Sequence, residues 1–295
     1  MIEGAAEGSS AGTLYVVATP IGNLGDVTLR ALEVLRAVPL IAAEDTRHTK
    51  RLLNRYEVTT RMTSFHARSS PGRLAALLDH LRGGSDLAVV TDAGTPTVSD
   101  PGGDLVKAWA EEGGRVVPVP GASAVLAAVA ACGVAGPRWA FEGFLPRSGR
   151  ERRDRLARLA ADDRATVLYE APGRVKATLA DLAEVCGAAR PGAVCRELTK
   201  VHESIVRGPL GVLAERLATG EIPARGEFVL VVGAWPMAAR VASGGDIADG
   251  DVLAAALAEV ERLVAEGRGR SEAARRVAAA TGLPRRRLYD VRPDG

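Results

Sequence analysis

The stretch TDAGTPTVSDPG, residues 91 to 102, holds more acidic, hydroxyl, glycine and proline residues than a plain connection needs. It lies between LAVV, an apolar run that predicts a buried strand, and GDLVKAWAEEGG, whose apolar spacing predicts a helix. Asp100 followed by Pro101 is typical of a helix start, with Asp100 as the N-cap. Capping leaves DAGTP unexplained, because Gly94 and Pro96 predict a rigid turn whose bare backbone lets a small polar ligand approach.

Three further loops of similar composition follow other predicted strands: TPIGNLGD (19–26), AEDTRHTK (43–50) and PGASAV (120–125). The strands alternate with helical segments, which predicts a parallel sheet whose loops gather at the carboxyl edge, where such sheets bind ligands. Asp26, Asp45 and Ser123 could instead serve only as helix caps. The sequence has neither a GxGxxG fingerprint nor a Walker A pattern, which disfavours conventional dinucleotide-binding and nucleotide-hydrolysing proteins.

From residue 125 onward the predicted strands are shorter and more mixed: RWAFEGFLP, ATVLYEA, GAVCREL and GEFVLVVGA. Helices are predicted between them, near 150–161, 174–186 and 209–219. We therefore predict the α/β class, with two α/β domains and a small C-terminal helical region. The predicted boundaries are a disordered N-terminus at 1–12, domains at 13–124 and 125–235, a linker at 236–250 and a helical tail at 251–295.

Composition narrows the functional classes. Aromatic residues make up only 4% of the chain, so surfaces on which bases could stack are scarce, and a net charge of +2 is too small to indicate nucleic-acid binding by itself. The three cysteines are widely spaced and have no histidine nearby, so we predict reduced thiols and no metal site. No signal peptide or membrane-spanning run is evident, which predicts a soluble, cytoplasmic protein without a membrane partner.

Local clusters of arginine carry the nucleic-acid argument. PRSGRERRDRLAR (146–158) has six arginines against two acids, and SEAARRVAAATGLPRRRLY (271–289) predicts a helix-turn-helix with a strongly basic face. In the second segment Ser271 is the predicted N-cap, and Ala274, Val277 and Ala278 are predicted to face inward. Both clusters could be solvated faces, or they could hold phosphates of a nucleic acid.

Seven motifs, in order along residues 13 to 234, make the sequence recognisable: VATPIGNLGD, AAEDTRHT, VVTDAGTPTVSDPG, VPVPGASA, FEGFLPR, LYEAPGR and CRELTKVHES. Together they resemble the tetrapyrrole methylase superfamily, and within it the branch that methylates a ribose 2′-hydroxyl of a decoding-centre cytidine in 16S rRNA. The resemblance implies two α/β domains with S-adenosylmethionine bound in the cleft between them, action on the 30S subunit or its precursor, and a homodimer.

The resemblance also implies which loops contact the cofactor. The predicted cofactor-binding residues come from three of the four strand-end loops and from two segments of the second domain: Pro20, Gly22, Asn23, Asp92, Ala93, Gly94, Thr95, Pro96, Pro120, Gly121, Ser123, Tyr169, Ala171 and Gly226.

Methyl transfer to a ribose hydroxyl is an in-line displacement, in which the enzyme positions the groups and a base or a cation helps the poor nucleophile. The candidates for this role are Asp100, Glu170 and Lys200, although a surface ion pair of Glu170 with Arg174 and a solvated Lys200 are the plain alternatives. The residues predicted to contact RNA are charged residues near strand ends and in the two basic clusters: Asp45, Arg47, His48, Arg147, Arg152, Arg153, Arg174, Arg196, Arg275, Arg276, Arg285 and Arg286.

Two other functions are compatible with parts of the sequence. A methylase of corrin or porphyrin precursors would share the cofactor motifs, but it leaves the basic clusters, AEDTR and ELTK without a purpose. A helix-turn-helix regulator whose large domain only senses a ligand would explain the tail, but it leaves the full set of methylase motifs unexplained.

Overall fold

The structure, a computed structural model, describes residues 11–235, 249–281 and 283–289. Residues 1–10 of the predicted N-terminal segment and 236–248 of the predicted linker lie outside this description. The chain divides into two compact units: Met1–Ala127 with Glu197–Glu203, and Ala128–Arg196 with Ser204–Gly295. The first unit is therefore discontinuous in sequence, because the segment Glu197–Glu203 belongs to it.

The first unit is built on a parallel five-stranded sheet in the order β3-β2-β4-β1-β5. Its strands are β1 (Leu14–Val17), β2 (Leu40–Ala43), β3 (Met62–Ser64), β4 (Leu87–Val90) and β5 (Val116–Val119). The helices are α1 (Leu29–Ala37), α2 (Thr46–Arg55), α3 (Pro71–Arg82), α4 (Gly103–Glu111) and α5 (Ala124–Cys132), and the division between the units falls within α5. A short 3₁₀ turn, Leu24–Asp26, precedes α1.

Side chains on the two faces of this sheet pack into two separate cores. Ala88 and Val90 of β4 pack with α1 and α2, while Leu87 and Val89 pack with α3 and α4. The strand has a side-chain period of two, so an apolar run such as LAVV is buried on both faces. The helices α1 and α2, which lead from β1 to β2 and from β2 to β3, thus lie on one face. The helices α3 and α4, which lead on to β4 and β5, lie on the other face, as right-handed connections require.

The second unit has a mixed five-stranded sheet in the order β6-β7-β10-β8-β9, in which only the β6–β7 pair is parallel. Its strands are β6 (Trp139–Phe144), β7 (Ala165–Glu170), β8 (Pro191–Arg196), β9 (Ser204–Pro209) and β10 (Phe228–Val232). Three helices share one core with it: α6 (Gly149–Ala161), α7 (Val175–Cys186) and α8 (Leu210–Thr219). The predicted class of two α/β sheets with C-terminal helices is confirmed.

The C-terminal helices form a small core of their own. They are α9 (Asp249–Ala265), α10 (Arg270–Thr281) and α11 (Arg285–Tyr289), and their buried residues include Val260, Val277 and Leu288. Ala274 and Val277 face inward as predicted, and Ala278 packs against the same core. Ser271 does not cap α10, because this helix already begins at Arg270 and the serine hydroxyl accepts a hydrogen bond from Arg285 instead.

No helix within the described ranges is long and apolar enough to span a bilayer.

Candidate active site

The loops that follow β1 and β4 are joined at the carboxyl edge of the parallel sheet. Thr19 N donates to Gly94 O at 2.9 Å and Gly94 N donates to Thr19 O at 3.0 Å, while the Thr19 hydroxyl donates to Thr91 O at 3.0 Å. Gly94 adopts a φ of +80°, which a side chain would strain. DAGTP is therefore a fixed wall of the edge, as its glycine and proline predicted.

A cavity of about 540 Å³, here called the β1–β5 cavity, lies at the same edge of the sheet, and of the predicted cofactor residues Pro120, Gly121 and Ser123 line it. The loops after β1 and β5 line it with Ile21, Gly121 and Ser123, and the segment Glu197–Glu203 adds Thr199. A Cβ at Gly121 would lie 3.0 Å from the Ala18 Cβ, so only glycine fits there without a shift. The Thr199 hydroxyl is buried and has no hydrogen-bond partner among the described residues.

The carboxylates of Glu44, Asp92 and Asp100 lie close together where β2 and β4 end. Asp92 N donates to Glu44 Oε2 at 3.3 Å, and Asp45 N donates to Asp92 Oδ1 at 3.1 Å. Asp100 has no hydrogen-bond partner among the described residues, and burial together with the charges of Glu44 and Asp92 raises its pKa to about 6. Burial is also the largest cause that raises the pKa of Glu44. Asp100 can therefore exchange a proton near neutral pH.

Asp100 lines a second cavity, here called the β3–β4 cavity, of about 410 Å³. The loop from β3 to α3 contributes Phe65, His66 and Ala67 to this cavity, and the start of α4 contributes Gly103 and Asp104. Asp100 is not the N-cap of α4, contrary to the prediction from sequence, because the helix begins at Gly103 and Gly102 occupies the cap with a φ of +112°. The aspartate is thereby left beside a cavity instead of satisfying helix amides.

Lys200 packs on the loop that follows β1. A Cβ built at Gly22 would lie 2.5 Å from the Lys200 Cγ, so the bare backbone of Gly22 makes room for the lysine chain. The Lys200 ammonium donates to Glu197 Oε1 at 2.9 Å. Next to Gly22, Asn23 caps the 3₁₀ turn, since its side chain accepts from Gly25 N at 3.0 Å. Lys200 is therefore held against the predicted cofactor loop instead of being solvated.

Backbone strain is concentrated in two loops of the site. Thr97 and Ser99 have φ values of +75° and +65°, and Glu197 and Thr199 have values of +52° and +66°. Positive φ is costly for residues with a Cβ, above all for β-branched threonine. Such strain persists where surrounding contacts fix a functional geometry, and these two loops carry Asp100 and Lys200.

Glu170 has a structural role, which corrects its prediction as a catalytic candidate. Its side chain is fully buried, and its two carboxylate oxygens accept from Ala171 N at 2.8 Å and from the Thr178 hydroxyl at 2.6 Å. Arg174 lies 3.2 Å from the same carboxylate and also donates to Leu145 O, so neither residue is the surface pair that the sequence suggested. Glu170 therefore does not fit the role of a base, and Arg174 does not fit that of an RNA contact.

The remaining predicted cofactor residues are distributed as follows. Pro20 and Pro96 are buried in the walls of the sheet edge, Ala93 is exposed, and Thr95 accepts a backbone bond from Val98. Pro120 lines the β1–β5 cavity. Tyr169, Ala171 and Gly226 belong to the second unit, at the end of β7 and before β10, where the Tyr169 ring packs on Phe141 and Phe144.

The residues predicted to contact RNA divide into exposed and structural groups. Arg152 donates to Asp181, Thr178 and Pro146, and Arg196 donates to Arg225 O; both side chains are buried, so we remove them from the RNA surface. Asp45 caps α2 by accepting from Arg47 N at 2.8 Å, which confirms the capping interpretation. The exposed members of the predicted set are Arg47, His48, Arg147, Arg153, Arg275, Arg276, Arg285 and Arg286.

Two features of the site were missed from the sequence. One is the carboxylate cluster of Glu44 with Asp92 and Asp100: the sequence singles out Glu44 in the charged loop AEDTRHTK, but strand order decides which loops are neighbours. The second is that Glu197–Glu203 belongs to the first unit, which no local pattern indicates.

Comparison with known proteins defines the class. Residues 13–214 match the family described as Tetrapyrrole (Corrin/Porphyrin) Methylases. The solved uroporphyrin-III C-methyl transferase from Thermus thermophilus, in complex with S-adenyl homocysteine, has a similar fold, with a TM-score of 0.54 at 21% identity over 75% of this chain and 97% of that one. This chain belongs to the tetrapyrrole methylase family, as the seven motifs indicated.

Its sequence relatives are more specific. The ribosomal RNA small subunit methyltransferase I of Synechocystis is 47% identical over 95% of this chain and 97% of its own length. The protein of the same name from Xylella fastidiosa (strain Temecula1) is 43% identical over 95% of this chain and 99% of its own length.

Proposed function

We propose that this chain is an S-adenosylmethionine-dependent methyltransferase of small-subunit ribosomal RNA, and that it methylates the ribose 2′-hydroxyl of a decoding-centre cytidine, cytidine 1402. The observation that carries the proposal is the joined edge of the first unit, where the loops after β1 and β4 are hydrogen-bonded to each other and other strand-end loops line two cavities. The names of relatives that match almost the whole chain supply the class of acceptor.

The residues at this edge fit the methyl donor. The β1–β5 cavity has the size of small-molecule sites, which range over roughly 300–1,000 Å³, and it offers bare backbone at Gly121. When bound, S-adenosylmethionine supplies a methyl group on a positively charged sulfur. We propose that the first unit holds it with Gly22, Asn23, Asp92, Ala93, Gly94, Thr95, Pro96, Pro120, Gly121 and Ser123; the resemblance adds Pro20, Tyr169, Ala171 and Gly226.

Asp100 is the proposed general base. It is half-buried, faces a cavity, has no hydrogen-bond partner among the described residues and has a pKa of about 6. At pH 7 most of these carboxylates are ionised and can accept the proton of a hydroxyl nucleophile, and a base with a pKa near the working pH is the most effective. Lys200 has a positioning role in this proposal, because its chain packs on Gly22 and its ammonium is held by Glu197.

The exposed arginines provide the proposed contacts to RNA. Arg47 and His48 follow β2 at the edge of the sheet, Arg147 and Arg153 flank the start of α6, and Arg275, Arg276, Arg285 and Arg286 lie on the C-terminal helices. Arginine forks match phosphate oxygens, and each phosphate contact adds sequence-independent affinity. We propose that these residues hold the 30S subunit or its precursor, and that the chain works as the homodimer implied by the resemblance.

The test is methyl transfer from radiolabelled S-adenosylmethionine to three acceptors in parallel: 30S particles that lack the modification, free 16S rRNA and uroporphyrinogen. We expect label in the RNA of the particles, at a ribose that resists alkaline cleavage. Label in the tetrapyrrole would instead assign the chain to corrin or porphyrin chemistry. Binding to duplex DNA without any transfer would favour a regulator. Sedimentation of the purified chain tests the dimer.

A further inference from the structure

None of the residues proposed to hold the methyl donor lines the β3–β4 cavity. Its walls come from the loop between β3 and α3 and from the segment that leads into α4, and it measures about 410 Å³, which is within the range of small-molecule sites. Among the proposed reaction groups only Asp100 reaches it. The cavity therefore lies where an acceptor could be offered to the base.

The walls combine three kinds of surface. Phe65, Leu74 and Pro101 are apolar, and Phe65 is only 7% exposed, so its position is fixed by packing. Asp100 and Asp104 supply acceptors, and His66, Ser69 and Ser70 add an imidazole and two hydroxyls that can donate or accept hydrogen bonds. The N-cap of α4 is Gly102, which has no side chain to accept from the first-turn amides at Gly103 and Asp104. A ligand that fills this cavity should thus have an apolar body, a hydrogen-bond donor and hydrogen-bond acceptors.

Charge decides between the ligands that RNA could offer. A phosphate would lie beside the carboxylates of Asp100 and Asp104, with Glu44 close enough to influence Asp100. These acidic groups outnumber His66, the one lining side chain that can carry positive charge, so repulsion outweighs attraction at this site. A nucleobase is planar and largely apolar on its faces. If the base carries an exocyclic amine, its N–H groups can donate to a carboxylate, as cytosine does to Asp or Glu in nucleic-acid complexes.

We propose that the β3–β4 cavity receives an amine-bearing nucleobase, with Asp104 accepting a hydrogen bond from the amine and Asp100 left for the ribose hydroxyl. Under the proposed function, on which this assignment rests, the base is the target cytosine, taken out of its stack. Uracil presents a carbonyl oxygen in place of the amine, so it would set an acceptor against a carboxylate. A site that hydrogen-bonds one group of a ligand rejects an analogue without that group, because the polar atoms of the site are then left unpaired.

The first test fills the β3–β4 cavity with a larger side chain. Ala67 is exposed and lines the cavity, whereas Ala75 is exposed on α3 and does not line it, so Ala67→Trp and Ala75→Trp form a matched pair. We expect Ala67→Trp to lower methylation of 30S particles at least about 10-fold while binding of S-adenosylmethionine stays unchanged, and Ala75→Trp to behave as the unsubstituted chain. Unchanged methylation in Ala67→Trp, or loss of donor binding in that variant, would overturn the assignment.

A chemical test works even if the unsubstituted chain transfers no methyl group, in which case the proposed function fails but the cavity can still be probed. Cys132, Cys186 and Cys195 are buried, so Ala67→Cys introduces the reactive thiol. We expect millimolar cytidine to slow its alkylation several-fold more than uridine does, and the added change Asp104→Ala to remove that difference. Equal protection by cytidine and uridine, or none by either, would refute the proposal; the small substitution also serves if Ala67→Trp does not fold.

Discussion

Asp100 shows how a common residue type acquires a particular chemistry from its surroundings. The prediction from sequence assigned it two roles, helix cap and candidate base, and the structure separates them because Gly102 takes the cap. Freed from that role, the carboxylate is half-buried next to Glu44 and Asp92, and both burial and like charge favour its protonated form. Its pKa of about 6 follows from these neighbours and not from the local sequence.

Replacing Asp100 with asparagine should abolish the base and keep the shape of the site. We expect Asp100→Asn to lower the methylation rate at pH 7.5 by about 100-fold or more, since general bases contribute on that order, with donor affinity unchanged. In the unsubstituted chain the rate should rise with pH and level off above a midpoint near 6, because the ionised form is the active one. Single-turnover transfer across pH 5 to 8 measures both, and Asp154→Asn, an exposed aspartate of α6, is the control. A midpoint that persists in Asp100→Asn would contradict the role.

The same pKa has a consequence for stability. The folded pKa of about 6 lies above the ordinary value of 3.8, so between these two pH values the folded chain binds more protons at Asp100 than the unfolded chain does. The free energy of unfolding should therefore fall as pH rises from about 4 to about 6. The share due to Asp100 is on the order of 1 kcal/mol, because a half-buried group is partly screened by solvent.

Urea titrations of the unsubstituted chain and of Asp100→Asn at pH 4 and pH 7 isolate this share. The difference between their unfolding free energies should change in favour of the asparagine variant as the pH rises. A difference that is constant with pH would indicate that the carboxyl titrates at its ordinary value.

Residue types alone located much of the site but could not assign every role. Gly94, Gly121 and Ser123 were predicted from loops with an excess of turn residues, and they do lie at one sheet edge. Glu170 was chosen because it ends a strand, yet its partner Thr178 lies on the following helix and buries it in a hydrogen-bond network. Such tertiary partners are what separate a reactive carboxylate from a structural one.

At the scale of elements, the packing of the segment Glu197–Glu203 on the loop after β1 leaves no room for an added side chain. Gly22 and Lys200 come from different loops of the first unit, and the lysine chain occupies the space next to the Gly22 backbone. Any side chain at residue 22 must displace Lys200, and with it the contact to Glu197.

We expect Gly22→Ala to weaken binding of S-adenosylmethionine about 10-fold, and Lys200→Ala to relieve part of that loss when combined with it. The two substitutions should thus be non-additive, as expected for groups in contact. Isothermal titration of the donor into both single variants and the double variant checks this. Gly173→Ala is a suitable control, because a Cβ there meets nothing within 4 Å. Simple additivity of the two losses would mean that the lysine does not act through Gly22.

The elements themselves were predictable where the apolar pattern is strong. β1, β2, β4 and β5 coincide with the apolar runs that predicted them, and α6, α7 and α8 lie where helices were expected. β3 and β9 were missed, since the first has three half-buried residues and the second is an edge strand with few buried positions. Their pairing with β2 and β8 stabilises them, and this pairing is absent from any local pattern.

At the scale of the whole molecule, the C-terminal helices carry a basic face on a core of their own. Arg275 and Arg276 are exposed on α10, while Arg262 of α9 is engaged with Glu259 at 2.7 Å. If the exposed pair contacts phosphates, the double change Arg275→Ala and Arg276→Ala should weaken binding to 30S particles. The slope of log affinity against log salt should also become smaller by up to about two, one for each contact.

Filter binding at several salt concentrations measures this slope, with Arg262→Ala as the control whose slope should not change. Donor binding should be equal in all three proteins. An unchanged slope in the double variant would exclude these arginines from the RNA contact.

The discontinuity of the first unit has a consequence for the growing polypeptide. The segment Glu197–Glu203, with Thr199 and Lys200, completes a unit whose other residues end at Ala127. During translation the amino-terminal sheet can form early, but its cavity lacks a wall until residue 203 has emerged from the ribosome. For the same reason no single cut separates the chain into its two units. An expressed fragment that stops after α5 should bind S-adenosylmethionine poorly even if it folds.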